Sequence, residues 1–179
     1  MESSANVKAH YKYRSQLLSL PTSNVIKVLM IGNNPREMGC LSDHLRGYTW
    51  KKFKVNATFD LKHGMQLAQS QKPDYILLDH ALDKDQLTSW VRNLRRQKIF
   101  KNTAVAILKD DNQSELLVPG VQDYLLKDSI ESDTFALNVL NAIRIRIQEL
   151  SDQVRMAVTP TGKMNWLPWN LKGRAAAIS

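Results

Sequence analysis

Apolar runs and helical stripes alternate along the chain from residue 25 to residue 150. Val25-Ile26-Lys27-Val28-Leu29-Met30-Ile31 is apolar and β-branched and stops at Gly32-Asn33-Asn34-Pro35, which reads as a buried strand followed by a turn. Pro35 suits the first position of a helix, and Met38, Leu41 and Leu45 recur at spacings of three and four, so a first helix follows. Phe53 to Phe59 reads as a second strand and Leu61 to Gln71 as a second helix that closes before Pro73. Asp74-Tyr75-Ile76-Leu77-Leu78-Asp79 is a continuous apolar run between carboxylates, the pattern of a central parallel strand covered on both faces, with Asp79 at its carboxyl end. A third helix spans Lys84 to Lys98, with Leu87, Trp90, Val91 and Leu94 on one face. The strand Thr103 to Leu108, a short polar link and the strand Val121 to Leu126 come next. In the last helix Phe135, Val139, Ile143, Ile147, Leu150 and Val154 form one apolar stripe that continues past the end of a compact domain.

Five strands alternating with five helices predict an α/β fold of three layers, a doubly wound, five-stranded parallel sheet of flavodoxin type with an extended last helix. Ligands of such folds gather at the carboxyl ends of the strands. That edge carries Gly32, Asn33 and Asn34, then Asp79 to Asp83, Lys109 to Asp111, and Lys127 with Asp128. The compact domain covers residues 25–150. Residues 1–24 form an N-terminal extension in which Val7, Tyr11, Arg14 and Leu18 share one helical face, so residues 5–20 suit a docking helix. Residues 151–179 hold the end of the last helix and a tail, Met164-Asn165-Trp166-Leu167-Pro168-Trp169-Asn170, suited to filling a groove on the same or a partner chain.

The composition is that of a globular chain, 43% hydrophobic and 23% charged over 179 residues, which excludes bulk disorder and leaves one domain with appendages. No apolar run approaches the length of about 18 residues that a membrane span needs, and Met1 to His10 has no signal-peptide core, so the expectation is a soluble, cytoplasmic protein. The single Cys40 forms no internal disulfide and is most simply a small residue in a helix. The net charge of +8 invites a nucleic-acid reading, but residues 25–150 hold 18 basic and 15 acidic side chains, so most of the excess lies in the two tails.

An acceptor carboxylate at the end of a central strand, with a lysine at the end of another, holds a phosphoryl group when a divalent cation offsets the charge between them. The segment from about Ile26 to Leu150 resembles the CheY-like receiver domain of two-component response regulators. The likeness rests on Pro73-Asp74-Tyr75-Ile76-Leu77-Leu78-Asp79, on Gly120-Val121-Gln122-Asp123-Tyr124-Leu125-Leu126-Lys127-Asp128, on the opening strand with Asn34-Pro35, and on the spacing of Asp79, Lys109 and Lys127. The resemblance implies that Asp79 is the phosphoacceptor, Lys127 the lysine on the phosphoryl oxygens and Tyr124 the switch aromatic. The sequence departs from the family where two adjacent acids follow the first strand: here stand Gly32 and Asn33. Lys109 replaces a Ser or Thr, Asp110 a small residue, and Asp128 the usual proline.

Removing two carboxylates leaves Asp79 as the only charged magnesium ligand, and Asn33 offers at most an amide oxygen. Two readings of Lys109 stay open. It joins Lys127 beside Asp79 in a fixed ion pair, each contact worth about 4 kcal/mol of gross Coulomb energy before desolvation, or it points to solvent. This degenerate pocket of Asp79, Lys109, Lys127, Gly32 and Asn33 predicts a pseudo-receiver. Such a stand-alone module acts by protein contact, with a histidine kinase or another signalling protein as partner and a homodimer through the last helix and tails. One alternative is a phosphorylation-dependent single-domain regulator switched at Asp79. Another is nucleic-acid binding by the basic tails, although Arg92, Arg95, Arg96, Lys98 and Lys101 read as a solvated helix end and no helix-turn-helix follows. His44, His63 and His80 lack zinc-ligand spacing, and no nucleophile–base pair or glycine-rich phosphate loop is visible. The expectation is therefore a protein that is not an enzyme and carries no cofactor, with magnesium at most weakly held on Asp79.

Overall fold

The computed structural model describes residues 24–110 and 117–158. Its elements are β1 (Val25–Ile31), α1 (Pro35–Gly47), β2 (Lys52–Thr58), α2 (Leu61–Gln71), β3 (Tyr75–Asp79), α3 (Lys84–Arg96), β4 (Ala104–Lys109), β5 (Asp123–Leu126) and α4 (Ser132–Val158), with 3-10 turns at Lys98–Phe100 and Lys127–Ser129. The five strands form one parallel sheet in the order β2-β1-β3-β4-β5. The fold is the expected three-layer α/β sheet. Four α-helices accompany the five strands among the described residues. Between β4 and β5 the described residues make only a turn, with Val121 N–H donating to Val118 O at 3.2 Å.

The helices form where caps and stripes agree. Asn34 Oδ1 accepts from Arg36 N and Glu37 N, Asp60 Oδ1 from His63 N, and Asp83 Oδ1 from Gln86 N, so α1, α2 and α3 each begin on a side chain that satisfies an orphan backbone donor. Alternation along the strands then sorts the apolar residues into two cores. On one face Ile26, Val28 and Met30 pack with Met38, Leu41 and Leu45 of α1 and with Phe135, Val139 and Ile143 of α4. On the other, Leu29, Ile31, Ile76 and Leu78 pack with Ala68 of α2 and with Leu87, Trp90, Val91 and Leu94 of α3. The whole of β3 is buried, as its uninterrupted apolar run requires. The stripe of α4 is covered as far as Leu150, whereas Val154, one turn on, is 52% exposed.

Some boundaries differ from the sequence reading. β2 ends at Thr58, the last residue opposite β1, and leaves Phe59 half exposed. β5 begins at Asp123 because Gly120, at φ +92°, turns the chain just before it. α3 stops at Arg96, where the chain tightens through a 3-10 turn that buries Phe100.

Arg95 belongs to the basic run read as solvated, yet its guanidinium closes the amino-terminal edge of the sheet. It donates to Gly120 O at 2.9 and 2.7 Å, to Thr103 O at 2.7 Å and to Gln122 Oε1 at 2.9 Å. Gln122 reaches on to Glu149 of α4 at 3.2 Å, and Glu149 meets Arg146 at 3.0 Å. Burial and the neighbouring Arg146 charge, partly offset by Glu149, lower the Arg95 pKa to about 10, so the group stays cationic at neutral pH. Arg95→Ala is expected to lower stability by about 3 kcal/mol, since it leaves carbonyls without a charged donor. Urea denaturation of the variant at pH 7 checks this.

Candidate functional site

Three strand ends and one helix start converge at the carboxyl edge of the sheet. Asp79 closes β3, Asp110 follows β4, Lys127 follows β5, and Glu37 lies in the first turn of α1. The Lys127 ammonium sits 2.8 Å from Asp110 Oδ1, 3.0 Å from Glu37 Oε2 and 3.2 Å from Asp79 Oδ1. Desolvation works against that charge. The contacts with Asp110 and Glu37 and the charge of Asp79 outweigh it and hold the Lys127 pKa well above the ordinary lysine range. Asp110 is shifted the other way: the hydrogen bond from Lys127 holds its carboxyl below the usual carboxylate value of 3.8, against a small opposing effect of burial. His80 closes the rim, with Nδ1 3.4 Å from Asp110 Oδ2.

Asp79 is sealed. Its side chain is 0% exposed, Oδ1 also accepts from Ala81 N at 3.0 Å, and Oδ2 is buried with no hydrogen-bond partner among the described residues. A carboxylate so enclosed is held in one rotamer by an ammonium and a backbone amide, and an incoming electrophile meets no exposed oxygen.

The other predicted site residues divide. Gly32 is buried beneath this carboxylate: a Cβ there would lie 3.1 Å from Asp79 Cβ and 2.9 Å from Met38 Cε. Asn33 is exposed, and the neighbouring Asn34 is the residue that caps α1. Lys109 is not the second amine of a clasp on Asp79; its Nζ stands over the Tyr124 ring, 6.0 Å from the centroid. Tyr124 is half-buried, and its hydroxyl accepts from Val118 N at 2.7 Å, which ties β5 to the preceding link. The arrangement is therefore one amine among three carboxylates in place of two amines on one. Glu37 and Asp110 were missed as partners, since nothing in the spacing of α1 announces that Glu37 turns toward a strand 42 positions on. His80, next to Asp79 in the chain, joins the same cluster through Asp110.

The receiver fold implies a magnesium ion beside the acceptor carboxylate, and the residues here do not fit one. Met38 fills the space into which a side chain at Gly32 would project. The Lys127 ammonium holds one oxygen of each nearby carboxylate, and no group of three His, Cys, Asp or Glu among the described residues is disposed to hold a metal.

Lys127→Met is expected to destabilise the protein by about 3 kcal/mol at pH 7, because three carboxylates lose their shared cation. The sign with pH follows from Asp110. A carboxyl whose folded pKa is depressed contributes stability above its unfolded value and loses that contribution as pH falls through the folded one. Wild type and variant should therefore converge in acid, below the ordinary carboxylate value, as read from urea midpoints across pH.

No family model matches the sequence, and no curated protein is similar to it. Solved structures are. The chemotaxis response regulator CheY4 of Vibrio cholerae superposes with a TM-score of 0.57 at 19% identity over 66% of this chain and 98% of that one. The signal receiver domain of an HD domain-containing protein from Pseudomonas fluorescens gives 0.60 at 15% identity, over 73% and 96%. The receiver domain of a putative LuxO repressor from Vibrio parahaemolyticus gives 0.57 at 19% identity, over 72% and 96%. Strand order, parallel register and the placement of Asp79 at the end of the central strand agree with this likeness, and the chain has the fold of a CheY-like receiver domain.

Proposed function

We propose that this protein is a degenerate receiver domain in two-component signalling, one that works by protein contact with its Asp79 pocket held in a single state. The observation that carries the reading is the Lys127 ammonium, shared at 2.8–3.2 Å by Asp110, Glu37 and Asp79. The receiver pattern has a lysine beside the acceptor in any case; what differs here is that Glu37 and Asp110 share it as well, while Gly32 and Asn33 stand where two acids would be. The Tyr124 hydroxyl, bound to Val118 N, and its ring, under the Lys109 ammonium, support the same reading, because an aromatic held at both ends has little freedom to exchange rotamers.

In this reading the partner is a signalling protein, a histidine kinase or a component acting with one, and it recognises a standing surface instead of a phosphorylated state. The last helix is the surface best suited to output. It continues to Val158, beyond the sheet, and exposes Val154 on the same stripe that packs the core. Self-association through this helix follows from the same apolar face. Val154→Asp is then expected to reduce the apparent mass in sedimentation at micromolar concentration without loss of helicity.

The decisive experiment is incubation with a small acyl phosphate and magnesium, followed by intact mass. The expected result is no labile adduct on the wild type, with Asp79→Asn retaining the partner contacts of the parent. A phosphoryl gain that maps to Asp79 would favour the phosphorylation-dependent alternative and end this reading.

A further inference from the structure

The opposite end of the sheet carries a second charged feature, unconnected with the pocket. β2 is an edge strand among the described residues, and its register with β1 sets Lys54 beside Lys27 and Lys52 beside Val25. Alternation places Lys27, Lys52, Lys54 and Asn56 on the face toward α2, where Asn56 Nδ2 donates to Gln71 Oε1 at 2.7 Å and Lys27 Nζ to Gln71 O at 3.3 Å. Lys72 follows directly, in the left-handed conformation that caps α2. All four lysines are exposed, and none has an ion pair with a described residue. The nearby Asp74 carboxylate accepts from the backbone N–H of Lys27. Helix-end compensation accounts for Lys27 and Lys72. It does not account for Lys52 and Lys54, which stand on the outermost strand.

We propose that the outer edge of β2, unpaired among the described residues, receives an extended acidic segment of a partner protein, added as a sixth strand with its carboxylates against Lys27, Lys52 and Lys54. Three features favour this occupant. The edge offers a row of main-chain donors and acceptors, the means by which extended peptides join sheets. Lys52 and Lys54, two residues apart, lie about 6.6 Å from each other on one face, the repeat at which alternate residues of an added strand present their side chains. Edge lysines also repel a basic strand and would have to be desolvated beside an apolar one, so they select as well as attract. The charge of this chain points away from itself as occupant. Residues 1–24 hold three basic side chains and one acidic, residues 159–179 hold basic side chains and no acidic one, and a second copy brings +8.

The test uses the full chain, labelled with nitrogen-15, and a synthetic peptide of about ten residues in which Glu alternates with Thr and Val. Its comparators are an isomer of the same composition with the Glu residues in one block, and an oligothymidylate of matching charge. The expected result is amide shift changes concentrated at residues 52–58, weaker binding of both comparators, and about tenfold weaker peptide binding by Lys52→Glu/Lys54→Glu. These surface changes leave the core intact, which the unperturbed remainder of the spectrum reports. No binding, shifts centred elsewhere, or equal or tighter binding of the blocked isomer or the oligonucleotide would each overturn the proposal.

Discussion

One ammonium shared by three carboxylates organises the carboxyl edge of this protein. Glu37, Asp79 and Asp110 come from α1, from β3 and from just after β4, and they range from half exposed at Asp110 to fully enclosed at Asp79, where an unpaired charge is costly. Asp79 is the extreme case, with no exposed side-chain surface and one oxygen that has no partner among the described residues. Lys127 makes the arrangement tolerable. In doing so it joins the end of β5 to β3, to the loop after β4 and to the start of α1, so the elements around the pocket cannot move independently without breaking a desolvated contact.

The other end of the sheet is organised on the same principle by Arg95. A planar guanidinium with donors in a fixed fork matches several carbonyls at once, and here it gathers the link before β5, the strand β4 and, through Gln122 and Glu149, the last helix. The link between β4 and β5 is thus held by Arg95 at Gly120 and by the Tyr124 hydroxyl at Val118.

Most of the fold is legible in the sequence for a plain reason: strand and helix periods are local. The uninterrupted run Tyr75–Asp79 announces a central strand because only burial on both faces tolerates it. Pro35 marks a helix start and Pro73 a helix stop because the ring fixes φ and carries no N–H. The role of Lys127 beside Asp79 is readable for a different reason, since parallel strands that end at one edge must bring their terminal side chains together.

What the sequence could not supply is direction across space. Lys109 and Lys127 look equivalent as strand-end lysines, yet one meets the Tyr124 ring and the other three carboxylates, a difference set by which neighbouring strand each leans toward. Arg95 reads as one of five cations at a helix end until the positive φ of Gly120 turns a carbonyl toward it. Glu37 reads as a first-turn acid until α1 packs against the sheet. Amino-acid order by itself determined the elements, their layering and the edge at which charge collects, because those depend on neighbours in the chain. Tertiary structure alone decided which charges meet, because an ion pair of a few ångströms depends on how distant elements pack, and packing geometry is not a property of any local segment.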